Sequence, residues 1–213
     1  MTVKDYKDYH QVNVKDKMMR DGLTLLENSL DGFEGYDVVL NNSKDTKVVF
    51  YDKYDGRSDV KKIIGYVEDI ELGNLFKIND ENWLVTTYPE DNRVYRKAEV
   101  QLCNSTFPIE SDKTEVLIGY DDYGRPEYDY QILTKDEPCI VETKYYFNNR
   151  NEQITLPEDR VMISMKYQKA TNIATNKEFD LYESRFRITF IDYSQVINGK
   201  GIMTLTGERV MNK

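Results

Sequence analysis

Nucleophiles, bases and metal ligands are scarce in this chain. Its 213 residues hold one histidine, His10, and two cysteines, Cys103 and Cys139. A serine or cysteine nucleophile stays weak until a neighbouring base takes its proton, and the sole imidazole lies in the N-terminal stretch, so a hydrolase triad has no evident base. The two cysteines form no Cys-x-x-Cys pair, so a tetrahedral zinc site cannot be assembled from the usual ligands. They read as two reduced, packed thiols. Neither a Gly-x-x-x-x-Gly-Lys phosphate loop nor a Gly-x-Gly-x-x-Gly turn occurs, which leaves nucleotides without a cradle. The expectation is a protein without catalytic residues, metal or cofactor.

Carboxylates are the abundant reactive groups. The best clusters are Asp52-x-x-Asp55-Gly56 and Asp121-Asp122-Tyr123-Gly124, and neither has the spacing or terminal glutamate of a calcium loop. Among 38 acidic residues they read as solvated turns. Tyrosine is the unusual feature: 17 occur, and they concentrate in Tyr120-Asp121-Asp122-Tyr123-Gly124-Arg125-Pro126-Glu127-Tyr128-Asp129-Tyr130. Gly124 and Pro126 mark a turn, and tyrosine rings supply amphipathic contact area at low entropic cost, as interface loops do. Tyr120, Asp121, Asp122, Tyr123, Arg125, Tyr128 and Tyr130 are therefore the candidate interface residues, in a loop over 119–130. The alternative is two strand ends rich in half-buried tyrosine.

Positioning such a loop falls to a chain that is 39% hydrophobic and 31% charged, with no apolar run longer than Val48 to Tyr51, which excludes a transmembrane helix. Its 29 basic and 38 acidic residues leave a net charge of −9, a field that repels nucleic acid and acidic membranes. Residues 1–12 alternate charge and tyrosine and lack the apolar core of a signal peptide, so they read as a solvated arm of a protein made in the cytoplasm. Asn13 followed by Asp16 resembles a capping box, and Val14, Met18, Gly22, Leu25, Leu26 and Leu30 recur at helical spacing. An amphipathic helix is predicted over 13–32, with its apolar stripe buried. From Tyr36 onward, short runs rich in Val, Ile, Thr, Tyr and Phe alternate with turn clusters. Strands are expected at 36–40, 47–51, 62–72, 75–78, 83–88 and 94–103, then, after an exit linker at 105–113 containing Pro108, at 115–120, 128–133, 138–147, 152–156, 160–169, 179–182, 185–192 and 200–206. The fold class is mainly β: an N-terminal helix, then two small antiparallel barrel- or sandwich-like units over 33–110 and 111–213.

An internal repeat supports the two units. Phe76-Lys-Ile78-Asn-Asp80-Glu-Asn-Trp83-Leu-Val85-Thr86 aligns with Phe179-Asp-Leu181-Tyr-Glu183-Ser-Arg-Phe186-Arg-Ile188-Thr189, and the same spacing aligns Lys97-Ala-Glu-Val100-Gln-Leu102 with Lys200-Gly-Ile-Met203-Thr-Leu205. Each unit thereby places a large aromatic at the start of a strand and branched residues on alternate positions, the pattern of a hairpin packed on one core. Trp83, matched by Phe186, reads as a core residue.

The run Trp83-Leu-Val85-Thr86, Asp91-Asn92, Tyr95-Arg-Lys97 and Val100-Gln-Leu102-Cys103-Asn104 resembles a stretch in virion proteins of tailed phages of Gram-positive bacteria, where it belongs to the head-tail joining region. The similarity continues through Gly124-Arg125-Pro126, Pro138-Cys139-Ile140, Ile154-x-Leu156 with Val161-Met162-Ile163, and Phe186-Arg-Ile188-Thr-x-Ile191-Asp192 with Gly201-Ile202. The resemblance implies a head-closure (stopper, neck) protein in the virion: a non-enzymatic subunit of a six-fold or twelve-fold homo-oligomeric ring that joins portal or adaptor to tail. DNA would pass through without sequence-specific binding, and an acidic lumen suits that passage. Arm 1–12 and loop 119–130 would reach the neighbours. Other readings are a tail terminator, baseplate or tail-fibre protein, or a glycan-binding or glycan-cleaving module built on an exposed Trp83.

Overall fold

The computed structural model describes residues 13–52, 58–120, 123–146, 153–155 and 159–210. Arm 1–12, Asp55 with Gly56, and Asp121 with Asp122 lie outside the described residues. Two compact units divide after Leu102.

The first unit opens with helix α1, Val14–Asp31. Asn13 is its N-cap, the side-chain oxygen accepting from the Lys15 N–H at 3.2 Å, and Asp16 places a negative charge in the first turn. The expected stripe divides into two. Leu26 and Leu30 are buried, and the missing side chain of Gly22 admits Val94, whereas Val14, Met18 and Leu25 are exposed. A β-carbon on Gly35 would sit 1.9 Å from the Leu30 carbonyl oxygen, so only glycine lets the chain turn from helix into the first strand.

Strands β1 (Gly35–Leu40), β2 (Lys44–Asp52), β3 (Val60–Gly65), β4 (Leu75–Ile78), β5 (Glu81–Val85) and β7 (Arg96–Leu102) form one antiparallel sheet in the order β3-β2-β1-β4-β5-β7, which the β3–β7 pairing closes into a six-stranded barrel. The short β6 (Glu90–Asp91) pairs on the outside with β7. Alternation drives the closure: Val38, Leu40, Val48, Ile63, Phe76, Trp83, Val85 and Val100 point inward, and a barrel leaves no edge to pair elsewhere. The strand expected over 62–72 ends at Gly65. Asp69, buried, there accepts from the Lys44 ammonium and the Thr46 hydroxyl, while the Asn74 side chain donates to the Asp69 carbonyl, so polar anchoring turns the chain where apolar patterning alone suggested continuation.

The second unit contains β8 (Ser105–Tyr120), β9 (Pro126–Glu142), the hairpin β10 (Lys144–Tyr146) with β11 (Gln153–Thr155), then β12 (Arg160–Lys166), β13 (Glu178–Leu181), β14 (Ser184–Asp192), β15 (Val196–Ile197) and β16 (Lys200–Arg209). Its main order, β13-β14-β16-β12-β9-β8, repeats that of the first barrel strand for strand, with the β13/β8 seam left unpaired. The Phe107 and Phe179 rings meet across that seam at 5.1 Å, and the Asn172 side chain accepts from the Glu110 N–H and donates to the Pro108 carbonyl, standing in for the absent strand. Residues 105–113 are thus the first half of β8 rather than an exit linker. Pro108 is tolerated because β8 is an edge strand. The strands expected at 128–133 and 138–147 are largely one continuous strand, β9.

The repeat holds for the hairpins, since Phe76 opposes Trp83 as Phe179 opposes Phe186. It does not hold for the third strand. Val85 opposes Val100, whereas Ile188 opposes Gly207 and not Met203, so β16 is displaced by four residues relative to the aligned Lys97 and Lys200 segments. Gly207 is needed there: a β-carbon would lie 2.9 Å from the Phe179 ring and 3.2 Å from the Val161 side chain.

Candidate functional site

The hairpin β8–β9 occupies the place of β1–β2 in the first barrel, where three residues, Asn41–Ser43, suffice to turn the chain. Its lower half, Ser105–Glu110 against Thr134–Cys139, belongs to the barrel wall. Above a bulge between Glu110 and Lys113, the two strands continue as a ribbon from Lys113↔Ile132 to Tyr120↔Pro126. At about 3.3 Å per residue this ribbon is roughly 25 Å long. A second bulge lies between Leu117 and Gly119.

Register sorts the ribbon's side chains onto two faces, because successive residues of a strand point to opposite sides. Leu117 opposes Tyr128, Glu115 opposes Tyr130, and Tyr120 opposes Pro126, which puts Leu117, Tyr120, Tyr128 and Tyr130 on one face together with Glu115. Glu127 opposes Gly119 and Asp129 opposes Val116 on the other. The aromatic face is open: Leu117 is 46% exposed, Tyr120 68%, Tyr128 52% and Tyr130 58%. Tyr123 and Arg125 stand exposed at the turn, with Gly124 at φ +76° between them. The tyrosine-rich segment is therefore two strands and a short turn rather than a loop over 119–130, and it brings Tyr120, Tyr128 and Tyr130 onto one surface. Leu117, Glu127 and Asp129 escaped the sequence reading, although the alternation Glu127-Tyr128-Asp129-Tyr130 carried the signal of a two-faced strand.

Other groups are held by folding. Cys139 is buried under the hairpin, and burial pushes its thiol up to about 12 against a lowering hydrogen bond from Ser105, so it stays protonated at neutral pH. Cys103 is half-buried and takes part in no disulfide. Asp52 pairs with Lys61 at 3.0 Å. Trp83 is 2% exposed, edge-on to Phe50 at 4.9 Å and beneath the Lys61 ammonium, so it is part of the first core and offers no platform to a sugar. Among the described residues no group of three or more His, Cys, Asp or Glu could hold a metal ion. A second apolar surface lies on the first unit, where Val14 and Met18 are exposed and the exposed Leu25 lines a cleft of about 350 Å³ together with Gly22, Leu26, Val49, Ile64 and Val94.

Comparison with known proteins divides the chain where the structure does. Residues 8–102 match the YomX N-terminal domain and residues 104–208 the YomX C-terminal domain. The chain is 29% identical over 210 residues, 97% of each protein, to the "SPbeta prophage-derived uncharacterized protein YomX" of Bacillus subtilis (strain 168). No solved structure matches. The two matches follow one another along almost the whole chain, and together these similarities indicate a phage-derived protein.

Proposed function

We propose that this phage-derived protein is a non-enzymatic virion subunit that works by assembly: a homo-oligomeric ring in the neck, joining portal or adaptor to tail around the DNA channel. The observation that carries this reading is the amphipathic ribbon of β8 and β9. A rigid barrel wall extends into a two-stranded arm whose aromatic face is uncovered in the single chain, and an isolated two-stranded ribbon is at best marginally stable in water. Such an arm gains its stability from a neighbour. The resemblance of Trp83 to Asn104 and of the later segments to head-tail joining proteins supports a place in the neck, and the net charge of −9 suits a channel through which phosphates slide without being held. The acidic residues of the ribbon serve that role, and the exposed face of α1 is the second surface a head-to-tail ring needs.

The test is to replace residues 111–133 by a two-residue Asn-Gly turn, joining the paired Glu110 and Thr134. The barrel wall Ser105–Glu110 with Thr134–Cys139 then closes as β1–β2 does, and the chain is expected to fold as a monomer. The intact chain should sediment as a six-fold or twelve-fold ring, and phage carrying the shortened hairpin should yield tailless heads that fail to retain their DNA. Rings and full virion yield from the shortened chain would refute the role of the ribbon. A trimer of the intact chain located at the tail tip would replace the neck reading with a baseplate or fibre one.

A further inference from the structure

The ribbon has a feature that a plain apolar contact does not explain. Over Lys113–Tyr120 β8 pairs only with β9, and over Pro126–Gln131 β9 pairs only with β8, so among the described residues neither outer edge has a neighbouring strand. Below the ribbon both edges are served: β9 meets β12 from Cys139 to Glu142, and the Asn172 amide caps β8 at Pro108 and Glu110. Each outer edge of the ribbon presents alternate N–H and C=O groups, a template for another strand. The Tyr130 N–H is held meanwhile by the neighbouring Asp129 carboxylate at 2.8 Å, a local bond that an incoming strand would displace. An edge exposed merely by accident is usually blunted by lysine, proline or inward charge. Between Glu127 and Gln131, β9 carries none of proline, lysine or a bulge, whereas β8 has Lys113 and the bulge between Leu117 and Gly119, so the regular edge it offers is Thr114–Leu117.

Edges and faces together limit what can cover the ribbon. One added strand would satisfy one edge and leave the other. A flat apolar partner would cover the aromatic face and satisfy neither. A second copy of the same ribbon, presenting its β8 to the first copy's β9, satisfies one edge on each and leaves the same pair of edges at the ends, so that addition repeats until it closes. Within the hairpin β8 and β9 are antiparallel, so a neighbouring β8 related by rotation about an axis along the ribbon is antiparallel to β9 as well. We infer, on the basis of the ring reading above, that the β8–β9 ribbons of neighbouring copies pair edge to edge into one intermolecular antiparallel β-barrel, with the Glu127 and Asp129 face toward the lumen and the Leu117, Tyr120, Tyr128 and Tyr130 face outward against the ring body.

The chemistry of the two faces decides the orientation. Glu127 and Asp129 need water, which a channel supplies, while Leu117, Tyr120, Tyr128 and Tyr130 are buried by turning toward protein, where Glu115 on the same face needs a cationic partner from the ring body. With strands spaced about 4.8 Å and tilted by about 40°, six copies would close a twelve-stranded barrel roughly 24 Å across at the backbone, and twelve copies one of roughly 48 Å. Either lumen is ringed by carboxylates from every copy.

Single-cysteine variants test the pairing in the purified oligomer, with Cys103 changed to serine. Chains carrying Val116→Cys are mixed with chains carrying Glu127→Cys, Asp129→Cys or Gln131→Cys, then oxidised. Val116 already faces Asp129 within one hairpin, so a disulfide between two singly substituted chains can form only across two hairpins. The expected result is a covalent dimer in one of the three mixtures, at least fivefold above that from either variant alone. Rings that give no mixed dimer in any mixture would overturn edge pairing while leaving the neck ring intact. Dimers formed by one variant alone would overturn it in favour of a two-fold contact between like strands. A chain that stays monomeric at every concentration would overturn both.

Discussion

Phe76 and Phe179 occupy the same place in two barrels, and removing one ring at a time should melt one core at a time. Phe76 is fully buried opposite Trp83 in the first core, and Phe179 is 7% exposed opposite Phe186 in the second. The two core clusters share no residue. Truncating a buried phenylalanine to alanine costs about 3–5 kcal/mol, from lost transfer energy and the cavity left behind. With a urea slope of about 1.5 kcal/mol per molar for a unit of this size, a loss of about 4 kcal/mol moves the midpoint down by roughly 2–3 M. The chain contains one tryptophan, Trp83, so indole fluorescence reports the first core and far-ultraviolet circular dichroism reports both. Phe76→Ala should shift the fluorescence midpoint by that amount. Phe179→Ala should leave it in place and move only the component of the dichroism that fluorescence does not follow. Equal fluorescence shifts for both variants would refute the division into two cores, and a shift below about 0.5 M for Phe76→Ala would refute its role as an anchor.

Three further outcomes follow from local geometry. Glu137 is buried at the base of the ribbon, with one carboxylate oxygen 3.2 Å from the Lys135 ammonium but in no aligned hydrogen bond, so Lys135→Ala should cost about 1–3 kcal/mol in thermal melts and Glu137→Gln should restore most of it. Glu183 follows Tyr182 in a two-residue turn with both φ angles positive, so Glu183→Gly should stabilise the second unit by about 1 kcal/mol, and a loss of stability would contradict that backbone assignment. Asp91 is held below the usual carboxylate range, first by the Arg93 N–H and then by the Arg96 guanidinium, and Glu90 is held below it by Lys97. Their contribution is complete above the unfolded values near pH 4 and is lost as pH falls through the folded ones. Asp91→Asn should therefore lower stability at neutral pH, leave it unchanged at pH below both values, and so flatten the acid limb of the stability profile; an acid limb as steep as that of the parent chain would refute the assignment.

Much of this architecture was legible because β-structure writes its core with period two. Val38, Val48, Ile63, Val85 and Val100 could be placed in strands from residue type and spacing. The turn Tyr182-Glu183 has no turn residues, and only its alignment with Asn79-Asp80 betrayed it; both turns adopt positive φ. What failed did so for physical reasons. Pro108 signalled a break because proline is barred from central strands, and the sequence could not say that β8 lies at an edge. The four-residue displacement of β16 preserves inward-outward alternation, so it was invisible to patterning. It surfaces only as the glycine that Phe179 requires at position 207. The helix stripe was legible as apolar, but which half of it meets the barrel depends on the Gly22–Val94 contact, far apart in the chain.

The duplication also bears on the proposed role of the ribbon. Two copies of one strand order were free to diverge wherever the barrel does not need its residues, and one such divergence is at the hairpin β8–β9. In the first barrel Asn41 and Asn42 turn the chain at once, with positive φ, and the Asn41 side chain accepts from the Leu75 N–H to help pin the β1–β4 seam. In the second the corresponding strands run on to Tyr120 and Pro126, and the seam beside them stays open. A longer hairpin with an aromatic face costs stability and solubility in the single chain, since it orders residues and exposes rings without a core to repay them. The barrel would be better closed without it. An element that weakens the monomer but keeps both its register and its two-faced alternation calls for a state in which its edges and its rings are covered, and the assembly proposed above would be such a state.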